Sequence, residues 1–133
     1  MNLKAETKEK IIDQIVNVSV DCGLDPDVAV AIAKVESSLN PNAVGSLGEI
    51  GLFQLRPEYH NVIKGNTKHN TKVAVRYLRE LEMKFSEKYG NAWFVLYNWG
   101  PYNPPKKPTE TKYYKKVMIE VNKLRVSRYL AVK

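Results

Sequence analysis

A single cysteine, Cys22, rules out an internal disulfide, and with no histidine close to it in the chain it reads as a small core residue. Histidine is almost as scarce. His60 and His69 stand isolated, no metal-ligand spacing occurs, and neither a metal nor another cofactor is expected. No apolar run approaches the roughly 20 residues that a membrane-spanning helix needs. The opening stretch MNLKAETKEK lacks the apolar segment of a secretion signal, so synthesis in the cytoplasm without a signal peptide is expected. There is no internal repeat and no linker long enough to divide domains, and 133 residues suit one domain spanning residues 1–133. With 44% hydrophobic and 26% charged residues, a disordered chain is excluded.

Negative charge is missing from one end. Residues 1–105 hold 12 basic and 12 acidic side chains, whereas residues 106–133 hold nine basic ones against Glu110 and Glu120, so the whole net charge of +7 lies there. Such asymmetry marks either a solvated face or a surface for polyanions.

Helical periodicity dominates what is present. Ile11, Ile12, Ile15, Val16 and Val20 recur at helical spacing within residues 3–22, stopped by Gly23. Asp25-Pro26 has the chemistry of a helix start, and the helix it opens, DVAVAIAKVESSL, is apolar on nearly every side, which places it at the centre of a domain. Asn40-Pro41-Asn42 ends it, and Gly45, Gly48 and Gly51 mark a hairpin-like loop. A long helix is predicted over residues 68–88, with Ala74, Leu78, Leu81 and Phe85 on one stripe. The short aromatic helix NAWFVLYNW follows, with Trp93, Phe94 and Leu96 read as core. PYNPPKKP must be loop, because proline removes donors and restricts its predecessor. A basic helix over residues 109–130, with Val117, Val121 and Leu124 inward, closes the chain. The fold class is mainly α with a small β-hairpin.

Glu36 is the residue that this pattern does not explain. It follows Ile32 and Ala33 at helical spacing, so its side chain shares a face with buried apolar groups. It also lies in the last helical turn, where the dipole is negative. Both effects disfavour the anion and raise the pKa, which is what a general acid requires. Position alone also fits a solvated glutamate at a helix end.

Its neighbours narrow the choice. ESSLNPNAVGSLGEIGLFQ (36–54), LYNWGPYN (96–103) and ETKYYKKV (110–117) resemble, in order and spacing, the motifs of the soluble lytic transglycosylase family, which shares the goose-type lysozyme fold. The matching elements are Glu36-Ser37, Gly51-Leu52-Phe53-Gln54, Tyr97-Asn98-Trp99-Gly100, and Glu110-Thr111 with Tyr114. VAVRYLREL (73–81) is similar to the family's connecting helix, and the likeness covers about residues 24–120. Three positions depart from the pattern. Gly45, followed by Ser46, stands where the family often has a serine, leaving Ser46 as a candidate for that contact. Phe53 replaces a common methionine, and Glu49 replaces a small residue.

The resemblance implies cleavage of the β-1,4 bond between N-acetylmuramic acid and N-acetylglucosamine in peptidoglycan, with Glu36 as both acid and base and a 1,6-anhydro sugar as product. It implies substrate contacts from Ser37, Ser46, Phe53, Gln54, Tyr97, Asn98, Trp99, Glu110 and Tyr114. Gln54 and Tyr97 would hold sugar and acetamido groups, Asn98 would brace the loop, Glu110 would orient Tyr97 or a sugar hydroxyl, and Trp99 and Tyr102 would stack on sugar rings. Two rivals stay open: a hydrolytic muramidase with Glu49 as second carboxylate, and a non-catalytic basic protein that binds cell wall. The expected partners are glycan strands and, through the basic end, an anionic wall or membrane surface. No nucleic acid is expected, and the protein should be a monomer. Phage-mediated wall degradation, by a lysis or virion enzyme, is the expected setting.

Overall fold

The computed structural model describes residues 7–132. Five α-helices carry the fold: α1 (Lys8–Cys22), α2 (Pro26–Ser37), α3 (Thr67–Tyr89), α4 (Val95–Trp99) and α5 (Lys112–Val132). Short 3-10 turns at Gly90–Phe94 and Pro108–Glu110 lead into α4 and α5. Local chemistry sets the boundaries. Thr7 accepts a bond from Lys10 N and caps α1, and Gly23, at φ 76°, closes it in the left-handed conformation that glycine alone adopts freely. Asp25 accepts from Asp27 N and Pro26 fills the first turn of α2. The expected start of the first helix at residue 3 lies outside the described residues.

α2 sits in the middle, with Ala29, Val30, Ala31, Ile32 and Ala33 all buried. Small side chains at three of these five positions let neighbouring helices approach closely. α1 packs on it through Ile11 and Ile15, α3 contributes Ala74, Val75, Leu78 and Leu81, and α5 contributes Tyr113, Val117 and Val121. Trp93, Phe94 and Leu96 are core, as their spacing suggests, and Cys22 lies half-buried against it. Val20 does not follow the α1 stripe: it is exposed, because the buried face of this helix is narrower than its apolar content.

Three ion pairs fasten the far end of α5, one of them from Arg125 to Asp27 at 3.5 Å. Arg125 reaches Asp25 at 3.0 Å, and Arg128 binds both carboxylate oxygens of Asp27. These arginines hold the Asp27 carboxyl below its ordinary pKa despite its burial.

The hairpin is reduced to two isolated antiparallel bridges, Val44 to Ile50 and Ile50 to Leu55. Backbone bonds from Gly45 N to Glu49 O, Ile50 N to Leu55 O and Gly51 N to Ala43 O hold this loop, and side chains add to them. Glu49 accepts from Leu47 N at 2.7 Å, and Gln54 donates to Ala43 O and Gly51 O at 3.1 and 2.9 Å. Among the described residues no helix is long and apolar enough to cross a membrane.

Candidate active site

Glu36 emerges from the C-terminal turn of α2 onto the floor of a cleft of about 270 Å³, walled by Leu47, Glu49, Gln54, Tyr77, Tyr97 and Asn98. The chain turns sharply behind it. Ser38 and Leu39 both have positive φ, 54° and 61°, a conformation unfavourable for non-glycine residues. Burial of Leu39 holds the turn in place. Ser37 donates to Leu52 O at 2.8 Å and to Ala33 O at 3.1 Å, so its hydroxyl ties the helix end to the loop. That bond gives the hydroxyl a structural role, with its lone pairs left for a ligand.

Burial pushes the Glu36 carboxyl up to about 7; the Glu49 charge adds to the rise, and a bond from Tyr113 opposes it. Tyr113 donates its hydroxyl proton to Glu36 Oε2 at 3.0 Å. Burial keeps the Tyr113 and Tyr97 phenols well above their ordinary pKa, so both stay donors at any physiological pH. The carboxyl is thus held by one oxygen and half-protonated near neutrality. Such a group can both give and take a proton.

The remaining positions divide. Tyr97 donates to Phe53 O, joining α4 to the loop beside Gln54, so its proton is already committed and only its oxygen lone pairs are left for a ligand. Phe53 is buried and supplies an apolar backing. Gln54, at φ 51°, has its amide nitrogen spent on the loop, which turns its Oε1 toward Gly45 and the cleft. Tyr114 faces away. Its ring stacks on Phe94 at 5.5 Å between centroids and its hydroxyl is 3.5 Å from Asn91, and it does not line the Glu36 cleft. Glu110 is exposed near Lys107 and does not orient Tyr97. Ser46 and Trp99 are exposed and lie outside the cleft wall, while Tyr102 lines an adjoining groove of about 750 Å³ that shares Tyr59, His60 and Tyr77 with it.

Tyr113 is the contact that sequence reasoning missed. Its signal was present: Tyr113, Val117 and Val121 recur every four residues and share the buried face of α5, while Tyr114 lies a quarter turn away. The aromatic wall was also missed. His60 packs on Tyr77 at 4.6 Å and Tyr77 on Tyr97 at 5.8 Å. Burial holds His60 below its ordinary pKa, with Glu80 opposing, so the wall is neutral near pH 7.

The departures at positions 45 and 49 are one feature. A Cβ on Gly45 would stand 2.6 Å from Glu49 Oε1 and 2.8 Å from Gln54 Oε1. The glutamate therefore fills space that a side chain at position 45 would need, and glycine there is the condition for its folded-back pose.

Among the described residues no group of three or more His, Cys, Asp or Glu side chains could hold a metal ion. Compared one by one with curated proteins, the chain finds no match. The family described as Transglycosylase SLT domain matches residues 15–118, which include α2, the loop, α3, α4 and the first third of α5. With Glu36, Gln54, Tyr97 and Tyr113 all inside that span, the chain belongs to the transglycosylase SLT domain family.

Proposed function

We propose that this protein is a lytic transglycosylase that opens the bond between N-acetylmuramic acid and N-acetylglucosamine and leaves a 1,6-anhydro end. Family membership supports peptidoglycan cleavage of the transglycosylase type. The observation that carries the acid-and-base role is Glu36 itself: a half-buried carboxyl with a pKa of about 7, anchored on one oxygen by Tyr113 at 3.0 Å. Glu36 gives its proton to the glycosidic oxygen as the bond from that oxygen to C1 breaks. The resulting carboxylate takes the proton of the muramyl C6 hydroxyl as this oxygen closes on C1. The proton count returns to its start, and no water is consumed. The substrate's acetamido group stabilises the positive C1, the Gln54 Oε1 and Asn98 orient it, and the aromatic wall of Tyr77 and Tyr97 shields the developing charge from water.

The hydrolytic alternative rests on Glu49, because it lines the same cleft. A water-activating base needs a carboxylate about 6.5–9.5 Å from the acid in inverting enzymes. Glu49 is folded back onto its own loop, with Oε1 accepting from Leu47 N and packed against Gly45, which favours an electrostatic role. A pure wall binder has no use for a buried acid. The lysine-rich C-terminal end adds attraction to an anionic wall or membrane surface, takes no part in the chemistry, and leaves the enzyme a monomer. Mass spectrometry of products from purified peptidoglycan tests the assignment, with anhydro ends expected and free reducing ends contradicting it.

A further inference from the structure

α5 has two apolar faces. One is the core face of Tyr113, Val117 and Val121. On the opposite side Ile119, Val126 and Leu130 are spaced by seven and four residues, so they align, and they are 54, 57 and 62% exposed. Lysines surround this stripe at helical spacing from Ile119. Lys112, Lys115 and Lys116 precede it by seven, four and three residues, and Lys123 follows by four; all are exposed. Lys112, Lys115 and Lys116 have no ion pair among the described residues, and Lys123 has only Glu120 at 3.5 Å. The arginines of the segment are spent differently. Arg125 and Arg128 pair with Asp25 and Asp27, so they face the start of α2 while the lysine face stays turned outward.

We propose that this outer face of α5 is a docking surface for anionic lipid, with Ile119, Val126 and Leu130 entering the headgroup and acyl boundary and the lysines meeting phosphate. Aligned aliphatic residues ringed by lysine are the pattern of helices that lie in a membrane interface. A soluble polyanion would be met by the lysines alone and gives no role to three exposed aliphatic side chains. A second copy of the chain is disfavoured by charge, because a two-fold contact through this face sets lysine against lysine. The surface lies on the helix that supplies Tyr113, and lipid bound there leaves the Glu36 cleft open. The proposal borrows only its setting, at a bacterial envelope, from the wall-cleaving reading.

The test is co-sedimentation of the whole chain with vesicles of phosphatidylglycerol and phosphatidylethanolamine, against vesicles of phosphatidylcholine alone. Binding is expected to the anionic vesicles only. The triple variant Ile119→Ser, Val126→Ser, Leu130→Ser and the variant carrying Gln at 112, 115, 116 and 123 should each lose about tenfold or more of it. Both should keep wild-type helical content and wild-type turnover of a short soluble glycan, since none of these side chains faces the cleft. The proposal is overturned if wild type ignores anionic vesicles, or if the serine variant binds as well as wild type, which would mean plain charge attraction. Self-association of wild type that the serine variant abolishes would also overturn it, in favour of a second copy. Failure to release any muramyl product from purified peptidoglycan would sink the wall-cleaving reading and leave the vesicle result standing.

Discussion

The hydroxyl of Tyr113 lies 3.0 Å from Glu36 Oε2, joining the start of α5 to the end of α2 across 77 residues of sequence. A donor to a carboxylate favours the anion, and this bond works against the burial that raises the Glu36 pKa. Tyr113→Phe keeps the ring and removes the donor. The pKa should rise further, so the alkaline limb of the activity profile should move to higher pH, with a rate loss of about tenfold near neutrality from the less firmly held carboxyl. A limb that stays in place would show that Glu36 is not the titrating acid.

Glu49 acts in the opposite direction. Its charge raises the Glu36 pKa, as the smaller contribution after burial. Glu49→Gln should move the alkaline limb to lower pH and retain most activity. Gly45→Ala should move it the same way, because the added carbon displaces the Glu49 carboxylate. The double variant should add little to either single one, since both act on the same charge. A loss for Glu49→Gln as deep as for Glu36→Gln would identify Glu49 as a catalytic partner.

Stability should carry the mark of the buried acid. The folded chain holds the Glu36 proton up to about 7, against an ordinary value of 4.5. The folded state binds the proton more tightly than the unfolded one, so stability is fully present below the lower value and falls as pH rises through the interval between them. Glu36→Gln, neutral throughout, should match wild type near pH 4 and exceed it near pH 8 by about 1–3 kcal/mol. Denaturant midpoints at the two pH values measure this, and an equal difference at both would contradict a destabilised carboxylate.

Ser37 tests the loop anchor. Ser37→Ala leaves Leu52 O without the 2.8 Å bond from the helix end. A stability loss of about 1 kcal/mol is expected, with a weaker KM and little change in the pH profile. A shifted profile would mean that the hydroxyl acts on Glu36 directly.

Much of this arrangement could be read from the residues. Asp25-Pro26 and Gly23 set the ends of two helices by their own backbone chemistry, and the apolar run of α2 placed Glu36 beside the core. What escaped has several causes. The family likeness pointed to Tyr114, although the spacing from Val117 and Val121 puts Tyr113 on the buried face of α5. Ser37 and Tyr97 both bond to loop carbonyls, Leu52 O and Phe53 O, and a carbonyl leaves no trace in residue type. The loop resembled a hairpin because its glycines are spaced like one, yet it keeps only two isolated bridges, and the Glu49 and Gln54 side chains supplement its backbone bonds.

The central claim is that Glu36 alone serves as acid and then base, without an activated water. Digestion of purified peptidoglycan, followed by mass spectrometry of the muramyl products before and after borohydride treatment, tests it most directly. Products lighter by one water than the hydrolytic ones and unchanged by borohydride are expected from wild type and from Glu49→Gln, with none from Glu36→Gln. Muramyl products with free ends that borohydride reduces, lost equally in both variants, would contradict the account and make the protein a hydrolase with two carboxylates.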